Sequence, residues 1–379
     1  MKNNLLVICA FVTLSVTVSA QVNNPIVTAV PSLSIAPDAR AGGMGDVGAA
    51  TTPDVNSQYW NAAKYVFMES DAGLSISYTP WLRQLVTDID LAYLAGYWKF
   101  DQRQALSASL RYFSLGDITL MDQLGIPQGS AHPNEVAVDL AYSRLLSEKL
   151  SAAITLRYIY SDLNNGINLA GGSEMYPGSA VSADLSSYYK TPVTLQNVDG
   201  NLAFGINISN IGSKISYDQN ETSNFIPTNL RVGSSFDYPL DNYNKISVSL
   251  DLNKLLVPTP KLNPTAADIT AYNNLSPIAG IFQSFTDAPG GFREQMEEIM
   301  WSLGAEYAYN NQFFLRGGYY NESQYKGNRK YFTAGAGFKL NIFQLDCAYV
   351  IATSQSDPLD QTLRFSLSFD MFGLKNLVK

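Results

Sequence analysis

From Leu106 to Asp370, apolar and polar residues alternate at period two in run after run. From Leu150 the apolar set is Leu150, Ala152, Ile154, Leu156, Tyr158 and Tyr160, set against Ser151, Ala153, Thr155, Arg157 and Ile159. Leu106, Ala108, Leu110 and Tyr112 oppose Ser107, Ser109 and Arg111; Ile246, Val248, Leu250 and Leu252 oppose Ser247, Ser249, Asp251 and Asn253. Near the end, Leu363, Phe365, Leu367 and Phe369 oppose Arg364, Ser366, Ser368 and Asp370. Period two places these sets on opposite faces of an extended strand. Runs of about ten residues with one greasy and one wet face suit a tilted strand that crosses a bilayer. A soluble sandwich also alternates, but with strands of roughly five or six residues.

The same reading along the chain gives fourteen candidate strands, from 73–79 to 361–370. Links after even-numbered strands are tight, as at Ser147-Glu148, Asn310-Asn311 and Asn341-Ile342, whereas 117–133, 163–180, 213–227 and 255–298 are long. Alternating short and long links match periplasmic turns and external loops, and an even count puts both chain ends on the turn side. The expected architecture is therefore all-β, a fourteen-stranded antiparallel transmembrane β-barrel. Closure is required because lipid offers no partner to an unpaired backbone group. Tyr78, Trp81, Tyr97, Trp98, Tyr158, Tyr160, Trp301, Tyr307 and Tyr309 are expected in interfacial girdles, and Arg111, Arg157 and Arg364 in the lumen.

Residues 1–20 read as an export signal, with Lys2, an apolar stretch Leu5 to Val18, and Val18-Ser19-Ala20 supplying the small residues needed at −3 and −1 of the cut. That would leave Cys347 as the sole cysteine, facing lipid, so no internal disulfide is expected. One histidine, His132, makes a metal site or a histidine relay a poor expectation. Charged residues are 15% of the chain, below the roughly 25% of soluble domains, and aromatics reach 12%. The net charge of −8 argues against nucleic acid as a partner. Asp88, Asp90, Asp139, Glu297 and Glu298 lack an accompanying nucleophile, histidine or phosphate loop, so they read as lumen or loop charges. The chain is expected to use no cofactor and not to be an enzyme.

Residues 21–72 precede the barrel proper, 73–379. They hold Arg40, Gly42, Gly43, Met44, Gly45 and Asp46, in a run where glycines permit close backbone approach. The functional reading is a plug folded into the lumen; the alternative is a flexible periplasmic tail. Asp54 to Lys64 is expected as a short helix. In the longest loop, 255–298, Pro258, Pro260 and Pro264 stiffen the start, and Ile281, Phe282, Phe285 and Phe292 put large apolar groups where water is expected. Phe292 to Met300 reads as a short amphipathic helix. Such a patch suits a protein partner, or the loop merely folds over the barrel mouth.

Several stretches along the chain bear a family resemblance. Asp38-Ala39-Arg40 and Gly43-Met44-Gly45, followed by Asn61-Ala62-Ala63, resemble the N-terminal hatch of the FadL-type fatty-acid transporter superfamily, although many members have Asn-Pro-Ala at the last position. That superfamily combines fourteen strands with a hatch. The run Asp251-Leu252-Asn253-Lys254-Leu255-Leu256-Val257-Pro258-Thr259-Pro260 resembles PorV proteins of the type IX secretion system of Bacteroidota. Asp287 to Gln295 and Ala305-Glu306-Tyr307 are similar to the same group. The resemblance implies a shuttle and adaptor in the cell outer membrane, in contact with outer-membrane lipid. It would bind a SprA/Sov-type translocon and cargo with a C-terminal sorting domain, then pass cargo to a PorU-type sortase attachment complex. The alternative is a FadL-type channel for hydrophobic small molecules, which an apolar lumen and a kinked strand would favour.

Overall fold

The computed structural model describes residues 23–83, 86, 88–121, 124–163, 176–196, 198–218, 222–353 and 359–370. The expected signal, 1–20, lies outside them. Sixteen strands are present among the described residues, fourteen of them in one closed barrel. The first barrel strands are β1 (Ala72–Pro80), β2 (Ile89–Lys99) and β3 (Gln104–Leu115). A separate hairpin, β4 (Ile118–Met121) with β5 (Pro127–Ala131), rises from the loop that follows. The barrel resumes with β6 (Asn134–Ser147), β7 (Leu150–Asp162), β8 (Gly178–Leu195) and β9 (Val198–Gly212). It continues with β10 (Asn229–Pro239), β11 (Asn244–Leu255) and β12 (Ile299–Tyr309). The last four are β13 (Phe313–Asn321), β14 (Lys330–Leu340), β15 (Phe343–Ala352) and β16 (Leu363–Asp370). Neighbours pair antiparallel, and β1 closes on β16 from Gly73↔Asp370 to Tyr78↔Phe365.

Alternation decides which way each strand faces. Leu74 and Ile76, Leu106 and Leu110, Ile154 and Leu156, Val248 and Leu250 are all exposed on the outer wall. Ser75 and Ser77, Ser107 and Ser109, Thr155 and Arg157, Ser249 and Asp251 are buried facing inward. An apolar exterior over a polar interior is the reverse of a soluble fold and requires a lipid surround. The protein is an outer-membrane β-barrel. The tight link at Asn310 and Asn311 has φ of 53° and 51°. Both values lie in the left-handed region that a type I′ hairpin turn needs and that asparagine tolerates.

Residues 30–67 lie inside the barrel. A short α1 (Ala39–Gly42) is capped by Asp38, whose Oδ2 accepts from the Ala41 amide at 2.9 Å. The expected helix from Asp54 to Lys64 is divided. One turn, α2 (Ser57–Trp60), ends where Asn61 becomes extended, and a 3₁₀ stretch, Ala62–Phe67, follows. Asn61 breaks the helix because its side chain is used elsewhere: Nδ2 donates to Ala49 O at 3.0 Å and to Ser187 O at 2.9 Å. Tyr97, expected in a girdle, instead points inward and is buried, its ring stacked on Tyr65 at 4.9 Å. It shares the inward parity of Tyr93 and Ala95, and Tyr65 of the inner segment meets it there.

The 255–298 loop holds α3 (Ala266–Asn274), α4 (Pro277–Gln283) and α5 (Phe292–Glu297). The helix expected from Phe292 to Met300 stops at Glu297 because Ile299 already enters the β12 ladder opposite Lys254.

Candidate functional site: the occupied lumen and the outer loop

The six residues singled out in the glycine-rich run converge on one wall of the lumen. Arg40 donates from Nε and Nη2 to the two oxygens of Glu306, at 3.1 and 3.0 Å, and from Nη1 to Asp54 Oδ2 at 2.8 Å. Glu306 also accepts from Arg316 Nε at 2.6 Å, and Arg316 Nη1 reaches Asp346 at 2.6 Å. Segment and wall thus share a buried chain of alternating charge. Planar guanidinium forks suit such paired carboxylate contacts, and pairing is what makes buried charge tolerable. Asp46 accepts from Tyr331 Oη at 2.6 Å and is ion-paired with Arg364 on β16.

The glycines work through space. The Gly45 amide donates to Thr333 Oγ1 at 2.8 Å with φ of 73°, and Gly43 sits against Gly335 of β14. The wall answers with small residues of its own. A Cβ on Gly318 would lie 2.2 Å from the Gly45 nitrogen, and one on Gly233 would lie 2.9 Å from Ala49 Cβ. Gly205 and Gly304 likewise have no room for a Cβ, blocked by the carbonyl oxygens of Ala49 and Met44. The backbone of this inner segment therefore lies directly on the strands, as glycine at a close backbone approach allows. Met44 is buried in that contact.

Several partners were not singled out from sequence. Asp251 Oδ2 accepts from the amides of Gly48 and Ala49, at 2.8 and 3.0 Å. Lys64, fully buried, donates to Gly48 O at 2.9 Å and Thr51 Oγ1 at 3.0 Å. Trp60 Nε1 donates to Asp38 Oδ1 at 2.6 Å, with the Arg231 guanidinium 4.4 Å above its ring. Asp251 stood among the wet positions of its strand, but nothing in that pattern identifies what an inward carboxylate touches.

Two cavities flank this segment. Toward the loops a space of about 80 Å³ is lined by Arg157, Asn207, Arg231, Asn253, Tyr320 and Arg329 among others. Toward the turns a vestibule of about 530 Å³ is lined by Arg40, Asp54, Asp237, Lys245, Arg316 and Lys339 among others. Charged side chains line both, interspersed with apolar groups such as Leu33 and Met300 in the first and Phe67, Met68 and Phe314 in the second. Arg157 is held between Asp139 at 2.6 Å and Asp184 at 3.0 Å, where β8 shifts register against β9 between Ala183 and Leu185.

The outer loop is anchored by polar contacts and leaves its apolar groups outward. Glu298 pairs with Lys254 and Lys326 and accepts from Thr259 Oγ1 at 2.6 Å. Pro258 is buried against Gly280 of α4, and Pro260 is half-buried. Ile281 is half-buried, whereas Phe282 is 73% exposed, Phe285 47% and Phe292 80%. Ile278 and Met296 add to the same exposed set. The chain's first described residues reach this loop: Asn24 Nδ2 donates to Pro260 O at 3.1 Å and Glu294 Oε1 at 3.2 Å.

Solved structures with a similar course of chain include the Ralstonia pickettii toluene transporter TbuX, with a TM-score of 0.49 at 14% identity, covering 88% of this chain and 97% of that one. The Pseudomonas putida toluene transporter TodX has a TM-score of 0.49 at 11% identity, covering 87% and 96%. A Pseudomonas aeruginosa FadL homologue has a TM-score of 0.44 at 10% identity, covering 92% and 99%. No curated protein matches the sequence. The family model of the type IX secretion system protein PorV matches residues 18–262. The chain belongs to the PorV family, an outer-membrane component associated with the type IX secretion machinery.

Proposed function

We propose that this protein is a shuttle and adaptor of type IX secretion, not an enzyme. It binds a SprA/Sov-type translocon and cargo bearing a C-terminal sorting domain, and passes that cargo to a PorU-type sortase attachment complex. The observation that supports this best is the outer loop. It turns Phe282, Phe285 and Phe292 into solvent on a frame fixed by buried ion pairs. Exposed large aromatics on a rigid rim are the usual anchors of a protein interface. Residues 21–72 act in this reading as a plug that keeps the lumen closed while work proceeds on the outer face. The FadL-type channel reading needs a continuous apolar path, whereas Arg157, Arg231 and Arg329 line the loop-side cavity and Arg40, Lys245, Arg316 and Lys339 the turn-side one.

The test is replacement of residues 262–292 by a Gly/Ser linker in the native host, followed by proteomics of surface, medium and periplasm. Proteins with a C-terminal sorting domain are expected to accumulate in the periplasm or stay unprocessed, and translocon pull-down to be lost. Normal export and normal pull-down would remove the loop from the mechanism. Normal cargo export in a full deletion strain, with reduced uptake of a long-chain fatty acid, would favour the channel.

A further inference from the structure

The turn-side vestibule contains a carboxylate with no partner. Asp237 is 8% exposed, and among the described residues its side chain has neither a hydrogen bond nor an ion pair. Across the ladder it faces Ser247 on β11 and Asn201 on β9. The Ser247 hydroxyl is also buried and unpartnered. Asn56, on the plug's underside, lines the same vestibule with an unpartnered Oδ1. Every other carboxylate on this inward row has been matched, as Glu306 beside Ser247 shows by holding both Arg40 and Arg316. A buried polar group without a partner calls for an explanation, and beside a cavity it is a candidate binding group.

We propose that the vestibule binds a short polypeptide segment from the periplasm that places a lysine or arginine side chain on Asp237. An ammonium has three donors and no acceptor. Asp237 supplies a carboxylate and Asn56 a carbonyl oxygen to this space, with the Ser247 hydroxyl beside Asp237 on the neighbouring strand. A divalent cation would ask for more carboxylates, and the described residues hold no cluster of three or more metal-binding side chains. The space of about 530 Å³ exceeds what a bare cation fills and lies within the range of pockets that enclose several residues' worth of ligand. Its wall adds Phe67, Met68 and Phe314 for apolar contact. Lys190 and Lys245, neither ion-paired among the described residues, would meet the acidic or carbonyl groups of the same segment. This site lies at the opposite end of the barrel from the apolar loop and is independent of it.

The experiment uses the full-length protein in detergent and a coumarin-labelled probe, N-acetyl-Gly-Lys-Gly-amide, followed by fluorescence anisotropy. The lysine probe is expected to bind saturably and at least tenfold more tightly than its norleucine counterpart, and to weaken as salt is raised. Asp237→Asn should abolish that preference while the barrel keeps its heat-modifiable mobility on gels, and Ser247→Ala should reduce it several-fold. Equal binding of the lysine and norleucine probes would overturn the proposal. So would a lysine preference that emerges only in a Lys190→Met, Lys245→Met double variant, because Asp237 would then serve the protein's own lysines.

Discussion

Arg40 is one of the residues through which the inner segment and the barrel wall share charge, beside Asp46 with Arg364. Its guanidinium joins Asp54 of the inner segment, which is 22% exposed, to Glu306 of β12, which is buried. Removing one member of a buried pair leaves the others uncompensated, which typically costs about 3–5 kcal/mol. Arg40→Met is therefore expected to undock the plug and expose residues 50–70 to protease added from the turn side. The barrel itself stays heat-modifiable, since Glu306 keeps Arg316. Arg40→Lys should rescue little, because one ammonium cannot span two carboxylates and the Thr52 carbonyl as the fork does. Resistance of both variants to protease would show that docking does not depend on this pair. Glu294 in the outer loop behaves differently, because it titrates. Burial by itself would raise its carboxyl. The hydrogen bond and charge of Lys326, with the Gly290 amide, outweigh burial and hold it below the ordinary range. A depressed carboxyl stabilises the fold above its unfolded pKa and loses that contribution as pH falls through the folded value. Hydrogen-exchange protection at residues 24–29, taken relative to the intrinsic rate at each pH, should thus fall below about pH 4 and stay level from there to neutrality. Glu294→Gln should already show the lowered protection at pH 7 and lose the acid step.

At the scale of elements, two adjacent glycines on β13 separate the needs of the plug from those of the strand. Gly318 points inward, where a Cβ would collide with Met44 and Gly45 backbone, while Gly317 points outward with nothing nearer than 3.9 Å. Gly318→Val is expected to leave the barrel assembled, valine being a good strand residue. It should displace the plug and raise single-channel conductance in planar bilayers. Gly317→Val should do neither, and equal behaviour of the two would sink the argument. The same glycines explain what was legible beforehand. Alternation is a one-dimensional pattern, so the fourteen barrel strands, their order and the inward course of Arg111, Arg157 and Arg364 could be read from it. Gly335 and Gly337 weakened the pattern on β14, because the wall gives up side-chain volume where plug backbone or the Arg316–Asp346 pair needs room. The β4–β5 hairpin was hidden in the 117–133 link for another reason. Its strands have four and five residues, too short for a period to emerge. Tyr97 went astray because an aromatic at a strand end reads equally as a girdle residue or a plug contact. The exposed phenylalanines of the outer loop were visible in sequence, but their frame was not, since Glu298 reaches Lys254 and Lys326 across long separations.

For the whole molecule, the two ends of the described chain lie at opposite mouths of the barrel. The barrel starts at Ala72 and finishes at Asp370 on the turn side, as an even strand count requires. The segment before it begins among the outer loops. The Asn24 amide donates to Tyr325 O at 3.0 Å, and the Ala29 amide to Phe225 O at 2.9 Å. From there the chain passes Glu135 and Arg111, crosses the lumen, and reaches Lys99 through the Met68 carbonyl at the turns. The segment is tied to the closing strand as well, through the bonds from Ala39 to Ser366 and from Asp46 to Arg364, both on β16. The course also has a consequence for which side residue 27 faces. Val27 is 74% exposed among the outer loops, and Cys347, the other relevant thiol position, shares the outward parity of Leu345 and Tyr349 on the lipid face. Val27→Cys is therefore expected to react with a membrane-impermeant maleimide on intact cells, while the parent protein does not. Labelling of Val27→Cys only after the outer membrane is permeabilised would place the segment's start in the periplasm. The outer loops would then need another tie in place of Asn24.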